Sequence, residues 1–182
     1  MKTVLLIGAG DRGAVYASCV LKNPGRIKII SVAEPVAQRR ERLSREHAVP
    51  ESRQYAGWEE ALACERFADG CIIATPDPFH TAPALAAMKR GYHVLLEKPM
   101  AITEPECREL VAASRRAGAA LLVCHVLRHT EFFRTIKRII DDGVLGEIMS
   151  IFHAENVSYY HMAHSYVRGN WRSCAGSSPM IL

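Results

Sequence analysis

Three glycines at fixed spacing carry the first hint of chemistry. Gly8-Ala9-Gly10-Asp11-Arg12-Gly13 follows the apolar run Thr3-Val4-Leu5-Leu6-Ile7 and precedes Ala14-Val15-Tyr16-Ala17, which reads as helix. Strand, glycine turn and helix form the context in which G-x-G-x-x-G binds a dinucleotide. Gly8 allows the tight turn, Gly10 lets the backbone approach a pyrophosphate, and Gly13 lets the helix pack close to the sheet. Asp11 and Arg12 lie in the turn as cofactor-contact candidates, and the N-terminus of the helix that follows offers unpaired amides and a partial positive charge to phosphate oxygens. Without a second feature, a plain turn would explain the glycines. Glu34 supplies one: it ends the next apolar run, about 20 residues past Gly13, where an acid binds the adenosine ribose hydroxyls. At ~4 Å and an effective dielectric of ~20, its charge would repel a 2′-phosphate by about 4 kcal/mol. NAD is therefore expected over NADP, with Arg39 and Arg40 just downstream acting against that preference.

A bound nicotinamide calls for a partner. Hydride transfer needs an alcohol carbon held against the ring and a group that takes the hydroxyl proton. Open α/β sheets bind ligands at the carboxyl ends of their strands. Thr75, Glu97, Lys98, His125 and Arg128 all fall at such ends. There Lys98 could orient the hydroxyl, stabilise alkoxide charge and relay the proton; the competing reading is a solvated strand-end cation. His125 and Arg128 face a substrate or are polar loop residues. Tyr160, His164, Trp171 and Arg172 are candidates for a polyol-binding lip, aromatic face to sugar and guanidinium to hydroxyl. His161 and His164 lack a carboxylate or cysteine at fitting spacing, so no metal is expected.

The elements that must position these residues alternate. Thr3–Ile7, Ile27–Ala33, Cys71–Ala74, Tyr92–Leu96 and Ala119–Val123 read as strands, and Pro35–His47, Gly57–Leu62, Thr81–Arg90 and Thr103 to about Gly118 as helices. Asp77 reads as an N-cap with Pro78 at the first helical position. Thr103-Glu104-Pro105-Glu106 fits a capping box. The predicted fold is a Rossmann-type, doubly wound parallel sheet over residues 1–124. Residues 125–182 read as the start of a second α/β domain: a helix over Thr130–Asp142, a partly alternating strand over Glu147–Tyr160, then a polar, loop-like stretch. The apolar end, Pro179-Met180-Ile181-Leu182, suggests a cut chain.

Three motifs together resemble the glucose–fructose oxidoreductase/inositol dehydrogenase family (Gfo/Idh/MocA): the glycine turn, Ala74-Thr75-Pro76-Asp77-Pro78-Phe79-His80, and Glu97-Lys98-Pro99. Gly143-Val144-Leu145-Gly146-Glu147-Ile148 is similar to the start of that family's second domain. The resemblance implies an NAD(P)-dependent dehydrogenase of a sugar or cyclitol, represented by its cofactor domain and a homo-oligomer when complete. It implies cofactor contacts from Gly8, Gly10, Gly13, Glu34, Thr75, Pro76, His80, Glu97 and Lys98, with Lys98 also catalytic. Asp77 stands where many members carry asparagine. The family's catalytic Asp and His would lie past Leu182, so the 182-residue chain alone is expected to be inactive. Two other readings stay open: a redox-neutral enzyme that retains its NAD, as in the family's glycosidase branch, and a dinucleotide-binding regulator without chemistry.

Composition narrows the classes. The chain is 49% hydrophobic, which suits a globular fold with a real core. A net charge of +4, not clustered, fits an anionic cofactor but not nucleic acid or a membrane surface. Met1-Lys2 passes straight into the first strand without an n-region or cleavage site, so no leader is expected, and no apolar run reaches transmembrane length. The six cysteines are scattered without a C-x-x-C, so reduced thiols and a cytoplasmic location are expected.

Overall fold

The computed structural model describes residues 1–169 and Arg172. Strands β1 (Lys2–Ile7), β2 (Ile27–Ala33), β3 (Gln54–Tyr55), β4 (Gly70–Ile73), β5 (His93–Leu96) and β6 (Leu121–Val123) form one sheet in the order β3-β2-β1-β4-β5-β6, every pair parallel. Helices α1 (Asp11–Leu21), α2 (Ala37–Glu46), α3 (Trp58–Ala63), α4 (Thr81–Lys89) and α5 (Glu104–Ala117) connect them. The chain winds outward from β1 to β3, then returns to β4 and winds the other way. That reversal is the switch point at which such sheets bind ligands.

Period-two alternation sorts the core onto two faces. Leu5 and Ile7 of β1, with Cys71 and Ile73 of β4, pack against α3, α4 and α5 through Leu62, Met88 and Leu110. Val4 and Leu6, with Ile72 of β4, pack against α1 and α2 through Ala17, Val20 and Leu43. Each such leucine or isoleucine contributes about 1.5–3 kcal/mol when fully buried.

The expected doubly wound sheet is present, and the Thr103 half of the expected capping box forms, while the Glu106 carboxylate takes the Thr103 hydroxyl in place of its backbone N–H. Thr103 Oγ1 accepts from the Glu106 amide at 3.4 Å and donates to Glu106 Oε2 at 2.8 Å, and Gly118 closes α5 with φ +60°. Other expectations need correction. β3 was not anticipated: two residues carry no strand pattern and pair only because Val32 and Ala33 lie beside them. Asp77 is not an N-cap; Asp77–Phe79 forms a separate 3-10 turn after Pro76, and α4 starts at Thr81. Beyond β6, α6 (Glu131–Asp141) forms as expected, but no strand occupies 147–160. Its alternation finds no partner edge among the described residues, and Ile151 and Phe152 are exposed. The loop expected from His161 instead starts with helical turns at Tyr159–His161 and Met162–Val167.

Candidate functional site

The glycine turn joins β1 to α1 at the carboxyl edge of the sheet. Gly8 has φ +90°, and a Cβ on it would fall 2.6 Å from the Ala74 carbonyl oxygen. A Cβ on Gly13 would fall 2.0 Å from the Gly8 oxygen. Both glycines are therefore demanded by the fold. Gly10 differs: at φ −70° and ψ −163° it has a conformation open to any residue, and a Cβ there would meet nothing nearer than Arg39 Nη1 at 3.9 Å. The protein's own atoms give no reason for glycine at position 10, whereas a pyrophosphate lying on the backbone does. No side chain caps α1, and its first helical bond runs from Ala14 N–H to the Gly10 carbonyl. The amides of the first turn are thus placed to bind an anion.

Glu34 reaches back to the same turn. Its Oε2 accepts from the Ala9 amide at 2.6 Å and its Oε1 from the Val36 amide at 3.0 Å, with the side chain buried. Each carboxylate oxygen retains a second lone pair for a ribose hydroxyl. Arg40 donates to the Glu34 carbonyl oxygen at 2.6 Å, while Arg39 is exposed over the glycine turn.

Glu97 sits at the end of β5, and its Oε1 takes two donors from α1: Arg12 Nε at 2.6 Å and the Tyr16 hydroxyl at 2.8 Å. Its Oε2 accepts from the Lys98 amide at 2.6 Å. Burial pushes the Glu97 carboxyl up, but the hydrogen bonds from Tyr16, Arg12 and Lys98 outweigh it and hold the group below its ordinary value. Burial raises the Tyr16 phenol well above its ordinary value, and hydrogen bonds with Cys124 and Glu97 add to that. The Cys124 thiol, at the end of β6, is likewise raised by burial. Tyr16 and Cys124 were not foreseen. The i, i+4 spacing of Arg12 and Tyr16 puts them on one helix face, but nothing local points to a carboxylate 81 residues later.

Lys98 is exposed, and among the described residues no side chain pairs with its ammonium. The Lys98–Pro99 bond is cis. His80 lies behind this turn, fully buried, with Nδ1 2.7 Å from the Pro99 oxygen and Nε2 2.8 Å from the Thr75 oxygen. A ring with no open surface cannot touch a cofactor directly, so His80 acts as a tie between two loops. Thr75 Oγ1 closes its own turn by donating to the Phe79 oxygen at 2.9 Å, and Pro76 is exposed.

The more distant candidates are not gathered in the same way. His125 precedes a 3-10 turn at Val126–His129, and both His125 and Arg128 are exposed past β6. Tyr160 stacks on His164 with centroids 5.6 Å apart. Arg172 is exposed, and Trp171 lies outside the described residues. Among the described residues, no group of three or more His, Cys, Asp and Glu side chains could hold a metal ion, and no helix is long and apolar enough to cross a membrane.

A parallel sheet with a ligand-ready glycine turn at its switch point defines an NAD-binding Rossmann domain. Residues 2–125 match the Gfo/Idh/MocA family, described as an oxidoreductase family with an NAD-binding Rossmann fold, and the chain belongs to that family. It is 30% identical over 151 residues to 1,5-anhydro-D-fructose reductase of Ensifer adhaerens, covering 82% of this chain and 44% of that protein. It is also 30% identical over 179 residues to a glycosyl hydrolase family 109 protein of Saccharopolyspora erythraea, covering 92% of this chain and 38% of that one. The crystal structure of scyllo-inositol dehydrogenase from Lactobacillus casei with bound NAD(H) and scyllo-inositol has the same fold, with TM-score 0.75 at 19% identity over 81% of this chain and 43% of that one. The chain spans less than half the length of these relatives.

Proposed function

We propose that this chain is the cofactor-binding part of an enzyme that transfers hydride between a secondary alcohol of a sugar or cyclitol and NAD. The observation that carries the reading is Lys98. Among the described residues its ammonium has no side-chain partner at the carboxyl end of β5, and its amide is held by the carboxylate that also binds α1, the helix that opens the phosphate turn. A cation there can steady an alkoxide and pass on its proton. Gly8, Gly10, Gly13 and the amides of Asp11 and Arg12 take the pyrophosphate, and Glu34 takes the adenosine ribose and disfavours a 2′-phosphate. Residues 1–124 form the nucleotide unit in this reading, and 125–182 open a substrate domain to which His125, Arg128, Tyr160, His164, Trp171 and Arg172 contribute. The complete enzyme works in the cytoplasm as a homo-oligomer on a small polyol.

The test uses the full-length protein with a panel of sugars and cyclitols. NADH accumulating in step with ketone is the expected result, and loss of that activity in Lys98→Met at saturating NAD assigns the lysine to the chemical step. The relationship to a glycosyl hydrolase family 109 protein favours a second reading, in which NAD stays bound and turnover is redox-neutral. Glycoside cleavage without net NADH would select it.

A further inference from the structure

Arg12 and Tyr16 contribute nothing to the glycine spacing that marks the phosphate turn, yet both reach across to Glu97. They stand one helical turn apart on α1, with the Arg12 guanidinium 5.3 Å from the Tyr16 ring centroid and Arg12 Nη2 3.4 Å from the phenol oxygen. Glu97 is buried, so its charge needs partners to stay ionised. Arg12 and Tyr16 donate to one oxygen, and the Lys98 amide donates to the other. The carboxylate is thus a bridge: one end is fixed by the helix that opens the phosphate turn, and the other fixes the backbone that carries Lys98.

We infer that Arg12 and Tyr16 are positioning residues that hold Glu97, and through it the Lys98 turn, in register with the nicotinamide end of the bound cofactor. The inference rests on the reading of the site as an NAD-dependent dehydrogenase. It makes α1 a two-ended device. Its N-terminal amides take the phosphates, and the side chains of Arg12 and Tyr16 on its first two turns place the groups that meet the ring. The residues act through the carboxylate rather than on the cofactor, so their effect should be confined to ligands that extend past the diphosphate.

The experiment compares NADH with ADP, which shares the adenosine and diphosphate but lacks the nicotinamide riboside. Both are titrated by calorimetry into wild type, Tyr16→Phe, Glu97→Ala and the double variant of this chain. Wild type should bind both ligands; failure to bind either would overturn the cofactor reading itself, and this inference with it. Tyr16→Phe should weaken NADH about tenfold, the loss of one hydrogen bond to a charged group, and leave ADP unchanged. Adding Tyr16→Phe to Glu97→Ala should cost nothing further, because the two changes remove the same link. Equal losses for NADH and ADP, no loss for NADH, or additive losses in the double variant would each overturn the inference while leaving wild-type cofactor binding intact. Should Tyr16→Phe melt early, Arg12→Lys, which keeps the charge on a half-exposed side chain, must show the same selective loss of NADH.

Discussion

Glu34 Oε2 lies 2.6 Å from the Ala9 amide, so the end of β2 clasps the glycine turn at the end of β1. The acid expected to select the cofactor also builds the turn that holds it. Ala9 is fully buried, and its N–H has no water to fall back on if the carboxylate is removed.

Cofactor choice and turn stability should therefore change together. NAD is expected to bind at least ~10-fold tighter than NADP, equivalent to ~1.4 kcal/mol. Glu34→Ala should narrow that gap and also cost about 1–3 kcal/mol of stability through the orphaned Ala9 amide. Titration with the two cofactors and urea unfolding check the two halves separately, and equal affinities in wild type would contradict the first.

The three glycines should respond differently. Gly10→Val places a side chain where only Arg39 lies nearby, so the variant should fold with an unchanged melting temperature and bind no NAD. Gly13→Ala forces a Cβ against the Gly8 oxygen and Gly8→Ala forces one against Ala74, so both should lose stability, of order 3 kcal/mol. Thermal melts beside NAD calorimetry distinguish the classes. Full NAD binding by Gly10→Val would show that the loop is only a turn.

Acidification should weaken the face covered by α2. His47 is buried at the end of that helix, and among the described residues neither its Nε2 nor the Ser44 Oγ has a hydrogen-bond partner. Burial lowers the His47 pKa, with Glu46 opposing. Below an ordinary histidine value of about 6.5 the unfolded chain then binds more protons than the folded one, so stability rises with pH across that window. It falls as pH drops from about 6.5 toward the depressed folded value. His47→Leu should flatten this part of the profile in urea midpoints taken from pH 7.5 to pH 5; an unchanged slope would place the titration elsewhere.

The 182-residue chain by itself should neither turn over a polyol nor stay dispersed. Ile136, Ile139 and Ile140 of α6 are all more than a third exposed along one stripe, followed by exposed Val144, Leu145, Met149, Ile151 and Phe152. Contiguous apolar surface of this kind drives association. Sedimentation should show concentration-dependent self-association that Ile136→Glu weakens. A wild-type monomer at high concentration would refute the point, and NADH produced from any sugar or cyclitol would place proton transfer on Lys98 alone.

The glycine turn, the alternating strands of the core and the Thr103 cap were legible in the sequence because each depends on neighbours a few residues away. φ and ψ at a glycine, a cap three residues from its amide, and the face a strand residue presents are local properties. The place of Glu34 at the end of β2 was legible for the same reason, since its distance from the turn is set by one helix and one strand. β3 was not: two residues become a strand only beside β2. The alternation over 147–160 failed in the opposite sense, because a strand pattern needs an edge to pair with, and this segment pairs with neither edge strand of the sheet, β3 or β6. His80 looked like a ligand until packing gave both ring nitrogens to backbone carbonyls. The bond between Tyr16 and Glu97 could come only from the tertiary structure. Sheet order decides which strand end lies beside α1, and that order is set by packing among elements far apart in the chain.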